Sequence, residues 1–269
     1  MAVATVSDDE LSEMSRQVLA KVFVMVKIWR DRMHQHAPQP AAGSILGVDD
    51  ERTDPYRLSH QVVLALISAV DHFEALRVLV QEAGVMPARA PFTLLRAALE
   101  NASIAVWLLA PEDRRERVLR LLRLIWVDGE DNVQAWGLAG AESPRSREER
   151  KLELQEMARA AGLSQEQISQ VAVRPTWTAI VRSAGDGARE LSGERVLLVW
   201  TVSSGIAHAR PWAALSILDR VEPPVVDGDV TRLKLKASDR WVMVIAHAAA
   251  AMLAEGWRLF DERSQSDPR

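Results

Sequence analysis

Cysteine is absent from the 269 residues, which excludes disulfides, thiolate metal sites and cysteine nucleophiles. Lysine is scarce, five against 28 arginines. With abundant alanine, this reads as the coding bias of a GC-rich genome rather than as mechanism. One tyrosine and four phenylalanines stand beside nine tryptophans, so aromatic contacts fall mainly to indoles, each with a large apolar face and a donor that needs a partner when buried. Core packing and an aromatic-lined cavity both account for them. A strong charge of one sign is also missing. The net charge of −4 argues against a chain whose main work is coating nucleic acid, and it leaves a local basic patch open. No unbroken apolar run reaches the roughly 18–20 residues of a membrane span; the nearest, "WVMVIAHAAAAMLAEGW", is interrupted by His247 and Glu255. The opening "MAVATVSDDELSEM" lacks the basic and apolar regions of a signal peptide. A soluble cytoplasmic protein without membrane association is expected.

What the chain does contain is helical periodicity almost throughout. Ser7 and Glu10 form a capping box that opens a helix to about His36, with apolar residues from Leu11 to Met33 at spacings of three and four. The turn-rich stretch 37–55 reads as a long loop or lid. A second helix is expected from about Tyr56 to Ala83, stopped by Gly84. A third, nearly apolar all round and therefore central, runs from Pro91 to before Pro111. A fourth opens at Pro111 and ends near Gly140, bending at Gly129. A polar helix, "SREERKLELQEMARAAG", ends at Gly162, Ser164 with Gln167 caps a short one, and "PTWTAIVRSAG" gives another. Ser192 to Ala209 makes a buried helix. Alternation around Leu233 and Leu235, with the turn signal Asp227-Gly228, predicts a small hairpin within 216–237. Ser238 then opens a terminal helix to about Arg263, followed by a frayed tail at 264–269. The fold class expected is all-α, one multi-helix domain over 1–269 with that hairpin as an appendage.

Two segments carry candidate chemistry. On the third helix, Thr93, Arg96, Glu100, Ser103 and Trp107 fall in one sector at 100° per residue. A charged pair on a central helix must be hydrogen-bonded or face a cavity. Either Arg96 and Glu100 form an internal ion pair that fixes packing, or the stripe lines a pocket in which Glu100 is base or ligand. In "WTVSSGIAHARPW" at 200–212, Trp200, Ser204 and His208 share a face at i, i+4 and i+8. Ser203 and Arg210 lie on a neighbouring face. There is no G-x-S-x-G elbow, and same-helix spacing does not aim an imidazole at a hydroxyl, so a serine hydrolase is disfavoured. His208 either caps the helix C-terminus or acts as a general acid or base.

Metal chemistry has little support, and no cofactor is expected. His34 and His36 cannot share a ligand sphere on a regular helix, the other histidines fall on separate helices, and H-E-x-x-H is absent. The run Asp128-Gly129-Glu130-Asp131-Asn132 resembles the Mg²⁺ motif of diphosphate-dependent terpene cyclases only loosely, because the second ligand triplet is missing. Arg114, Arg115, Arg117, Arg120 and Arg123 sweep one side of the fourth helix. They read as a solvated face balanced by Glu116 and Glu130, or as a phosphate-binding surface.

The blocks "APFTLLRAALENASIAVWLLAPEDRRERVLRLLRL" and "WTVSSGIAHARPWAAL" resemble a group of uncharacterised helical proteins of GC-rich bacteria. More distantly, a helix ending in Ser-x-x-x-His resembles HEPN-type domains, helical bundles found in RNA-cleaving toxins and phage-defence systems. Their motif is an arginine followed after four to six residues by histidine, usually at a dimer interface. Here the window before His208 holds no arginine and Arg210 follows it. The resemblance implies action on or near RNA in stress or phage defence, catalytic or degenerate, in a homo-oligomer. His208 would be the acid or base, with Glu100, Ser204 and Arg210 as companions. Two other readings stay open. One is an enzyme or binder for a small apolar ligand in a pocket lined by Arg96, Trp107 and Trp200; the other is a non-catalytic interaction protein. The distance between Glu100 and His208 is the observation on which these turn.

Overall fold

The computed structural model describes residues 8–35 and 39–266. The all-α expectation is met: eleven α-helices and two short antiparallel strand pairs occur among the described residues. The helices are α1 Asp8–Gln35, α2 Ile45–Thr53, α3 Leu58–Arg77, α4 Ala90–Leu109, α5 Arg114–Leu138, α6 Arg147–Ala160, α7 Gln165–Ser169, α8 Trp177–Gly187, α9 Gly193–Ala207, α10 Pro211–Ile217 and α11 Asp239–Ser264. A π-helical turn, Val78–Glu82, extends α3 up to Gly84, whose φ of +64° is the left-handed stop its position predicts. The box assigned to Ser7 lies outside the described residues, as does His36.

Helix α4 is the axis. It packs on α3, α11, α8 and α9, and Leu95, Leu99, Ala102 and Val106 are fully buried. Two helices, Ala90–Leu109 and Asp239–Ser264, are long and apolar enough by composition to cross a membrane, although the sequence shows no unbroken run. In the fold, 61% and 67% of their apolar windows are buried inside the protein. They pack against each other, where Gly256 brings α11 close: a Cβ there would stand 2.9 Å from Leu66 Cδ2 and 3.4 Å from Ala105 Cβ.

A second, smaller cluster joins Val118, Leu122 and Trp126 of α5 to Leu154, Ala158 and Ile168 of α6 and α7. The capping box expected at Ser164 is formed, and a second one is found at Ser146. Ser146 Oγ accepts from Glu149 N and Ser164 Oγ from Gln167 N, with the reciprocal bonds present. The hairpin is also present as nested pairs. β1 Asp219–Arg220 pairs with β4 Leu235–Lys236, and β2 Val225–Asp227 with β3 Val230–Arg232, around Gly228 at φ +58°.

Three expectations are corrected. In the described part of the expected loop 37–55, residues 45–53 form α2, capped by Ser44 Oγ, which accepts from Gly47 N at 3.0 Å. Leu46 and Asp49 are fully buried. Asp49 is gripped by Arg117 through two bonds of 2.6 and 3.1 Å. Second, α5 starts after Asp113, whose carboxylate accepts from Arg115 N, and it runs straight through Gly129. Third, its arginines are not a solvated face. Arg117 is buried on Asp49, Arg120 donates to Trp107 O and Glu116, and Arg123 donates to both oxygens of Gln170. Only Glu116, among the balancing acids expected, pairs within the run; Glu130 binds Arg147 and Arg150. Arg115 is exposed.

Candidate functional site

The stripe on α4 descends from solvent into the core. Thr93 is exposed, Arg96 and Glu100 are half-buried, and Ser103 and Trp107 are buried. Arg96 Nε donates to Glu100 Oε1 at 2.9 Å. Trp200 Nε1, from α9, donates to the same oxygen at 2.7 Å. Glu100 therefore ties two helices together with one carboxylate, and the indole donor that burial requires is satisfied by charge.

At the outer end of the stripe, Arg96 Nη1 stands 3.2 Å from His208 Nε2. A guanidinium only donates. As a hydrogen bond, the contact therefore has Arg96 as donor and His208 Nε2 as acceptor. The chain is Trp200–Glu100–Arg96–His208, two residues from each of two helices over a hundred positions apart in sequence. His208 is exposed, and its side chain meets Arg96 rather than the carbonyls of its own helix. Glu100 and His208, whose separation the sequence left open, are linked through Arg96, and neither lines any of the five clefts found among the described residues.

Local geometry explains why His208 sits there. α9 ends in a Schellman turn: Ala209 N bonds to Ile206 O and Arg210 N to Gly205 O at 2.8 Å. Ala209 adopts φ +54°, a region glycine enters freely and alanine does not. Ala209→Gly is accordingly expected to stabilise the protein by about 1 kcal/mol, read as a raised midpoint in thermal unfolding. Gly205 lets α10 fold back on α9, since a Cβ there would lie 2.7 Å from Trp212 Cζ2 and 2.8 Å from Ala213 Cβ. The turn leaves Arg210 exposed and Trp212 49% exposed beside His208.

The other candidate residues are placed differently. Ser204 is half-buried, gives its carbonyl to His208 N, and has no hydroxyl partner among the described residues. Trp107 does not join the cluster: it is buried, with the Arg120 guanidinium 5.1 Å from its ring centroid. None of five clefts found among the described residues is lined by Trp107 or Trp200. The acidic run on α5 is consumed by arginines, Glu130 by Arg147 and Arg150, and Asp131 by Arg174. No group of three or more His, Asp or Glu suited to a metal occurs among the described residues. Trp212, next to the Pro211 that opens α10, is not among the residues singled out from the sequence and is half exposed.

Comparison with known proteins finds no matching protein family, no matching curated protein and no matching solved structure.

Proposed function

We propose that this protein acts on single-stranded RNA, with His208 and Arg96 handling the phosphodiester. The observation that carries the reading is the Arg96–His208 contact at 3.2 Å on an open surface. The HEPN motif takes its arginine from the histidine's own helix; here the arginine next to His208 comes from α4. The surface is open, which suits a strand laid across it. Trp212 offers a face for a base, and Arg210, which has no ion pair among the described residues, offers a phosphate contact.

The chemistry follows from the hydrogen bonds. A phosphate approaching Arg96 competes for the Nη1 proton and frees the His208 Nε2 lone pair. That nitrogen then takes the proton of a ribose 2′-hydroxyl, whose oxygen attacks the adjacent phosphorus. The P–O5′ bond breaks and the departing 5′ oxygen takes a proton from water, leaving a 2′,3′-cyclic phosphate and a 5′-hydroxyl, while His208 returns its proton to solvent. Arg96 stabilises the charge that develops on the phosphoryl oxygens, and Glu100 holds Arg96 in place.

A labelled single-stranded RNA and its all-deoxy counterpart, incubated with purified protein at 50 and 200 mM salt, test this. RNA is expected to be retained more weakly at the higher salt and cut to cyclic-phosphate ends, with the DNA intact. His208→Gln, a change at an exposed position, should slow cleavage by about 10²-fold or more. Retention without cleavage would remove the catalytic step and keep the RNA partner; no retention at 50 mM would overturn the reading.

A small apolar ligand is the second reading, favoured by a cleft of about 680 Å³ between α1 and α11. Ala250, Ala251 and Ala254 line it, with Val18, Val22 and Met25 opposite. Its lining holds no tryptophan, so such a ligand would sit away from Trp200.

A further inference from the structure

A different cleft, of about 700 Å³, lies where the base of the hairpin meets α1 and the start of α11. We infer that it binds a small phosphate-bearing organic molecule, with the phosphoryl group seated on the N-terminus of α11. This stands independently of the RNA reading, since the cleft shares no residue with the Arg96–His208 pair.

Helix α11 is 26 residues long, and its first internal bond runs from Val242 N to Ser238 O at 2.9 Å. The amides of Asp239, Arg240 and Trp241 precede that bond, and the Ser238 side chain takes none of them. A helix end alone defines no site; the second observation is Ser238 itself. It is only 6% exposed, it lines the cleft, and its hydroxyl has no hydrogen-bond partner among the described residues. The residue is packed in, but its hydroxyl oxygen is not sealed off, so a ligand oxygen in the cleft can pair with it.

The charges agree. Arg220, Lys236 and Arg240 all line the cleft, and none has an ion pair among the described residues. The two carboxylates present are Asp219 and Asp239, and Asp239 Oδ2 is engaged by Ser12 Oγ at 3.2 Å. Three unpaired cations with free helix amides match a phosphomonoester dianion. The cleft is far larger than a bare anion, within the range of sites for small organic ligands. Trp241, half-buried on its wall, supplies an aromatic surface for the organic part.

Calorimetric titration of the full chain with adenosine monophosphate, inorganic phosphate and adenosine tests the inference. Saturable one-to-one binding of adenosine monophosphate or of phosphate is expected, with adenosine silent. Whichever anion binds more tightly identifies its source. Ser238→Ala should weaken that binding about tenfold, the scale of a lost hydrogen bond to a charged group. Its thermal midpoint should hardly move, because the hydroxyl caps nothing. Lys236→Met with Arg240→Met should weaken binding about a hundredfold. No saturation by either anion at 10 mM (roughly the weakest binding worth the name), adenosine binding as well as its phosphate, or anion binding undiminished in both variants would each overturn the site.

Discussion

Asp49→Asn is expected to destabilise the protein by about 3–5 kcal/mol in urea unfolding at pH 7, among the largest effects of any single polar substitution here. The Asp49 side chain is fully buried and that of Arg117 is 3% exposed. Arg117 also donates to the carbonyls of Pro111 and Glu112 at 2.9 and 2.8 Å, so one guanidinium closes the α4–α5 turn and pins α2 to it. Removing the carboxylate leaves a cation that cannot shed its proton. A second cation makes matters worse: Arg263, 4% exposed, reaches Pro111 O at 3.2 Å, and burial together with Arg117 already pulls its pKa down.

Arg117→Met should behave differently with pH. Burial pushes the Asp49 carboxyl above its ordinary value, against the pull of Arg117. Without Arg117, burial dominates further, and the folded protein holds a proton that the unfolded chain releases above about pH 4. A raised folded pKa means that stability increases as pH falls, by at most about 1.4 kcal/mol per unit. The deficit of Arg117→Met relative to the parent should therefore shrink between pH 7 and pH 5, while that of Asp49→Asn should not shrink, because asparagine does not titrate and the parent's raised Asp49 can only gain on it as pH falls. Equal deficits at both pH values would show that the pair is not what holds α2.

The same pair marks the limit of what the sequence reveals. Features settled within one turn are legible: the box at Ser164, the stop at Gly84, and the shared sector of Arg96 and Glu100. Helix α2 is not, because its nine residues lie among turn formers and its anchor is 68 positions away. Arginine carries the same ambiguity along α5. A run with Arg117, Arg120 and Arg123 has the pattern of a solvated face, and only tertiary partners such as Trp107 O and Gln170 O turn it inward. For the candidate site, periodicity places Arg96 with Glu100 and Trp200 with His208. Their meeting depends on how α9 crosses α4, which no local pattern encodes.

That crossing is set in part by two glycines, and Gly185→Ala is expected to cost about 3 kcal/mol, the upper part of the usual range for overpacking. A Cβ on Gly185 of α8 would stand 2.8 Å from Gly193 Cα and 2.9 Å from Ser192 O, both backbone atoms of the start of α9. Neither can swing aside as a side chain does, so α9 must move as a body. Gly193 makes the reverse approach: a Cβ there would stand 2.6 Å from Arg182 O, and its amide donates to Asp186 Oδ1 at 2.8 Å. Since α9 carries Trp200 and His208 against Glu100 and Arg96 of α4, a shift of α9 strains both inter-helix bonds at once. Gly137→Ala is the control: a Cβ there meets nothing within 4 Å, and removing a helical glycine should add about 0.5–1 kcal/mol. The comparison joins fold to site. If Gly185→Ala lowers the thermal midpoint and, at a temperature where the variant is still folded, also weakens RNA retention, the site depends on the close α8–α9 contact. Retention at the parent level in a destabilised but folded Gly185→Ala protein would show that α9 keeps its place on α4 without that contact, and that Glu100 alone suffices to hold Trp200 and Arg96 in register.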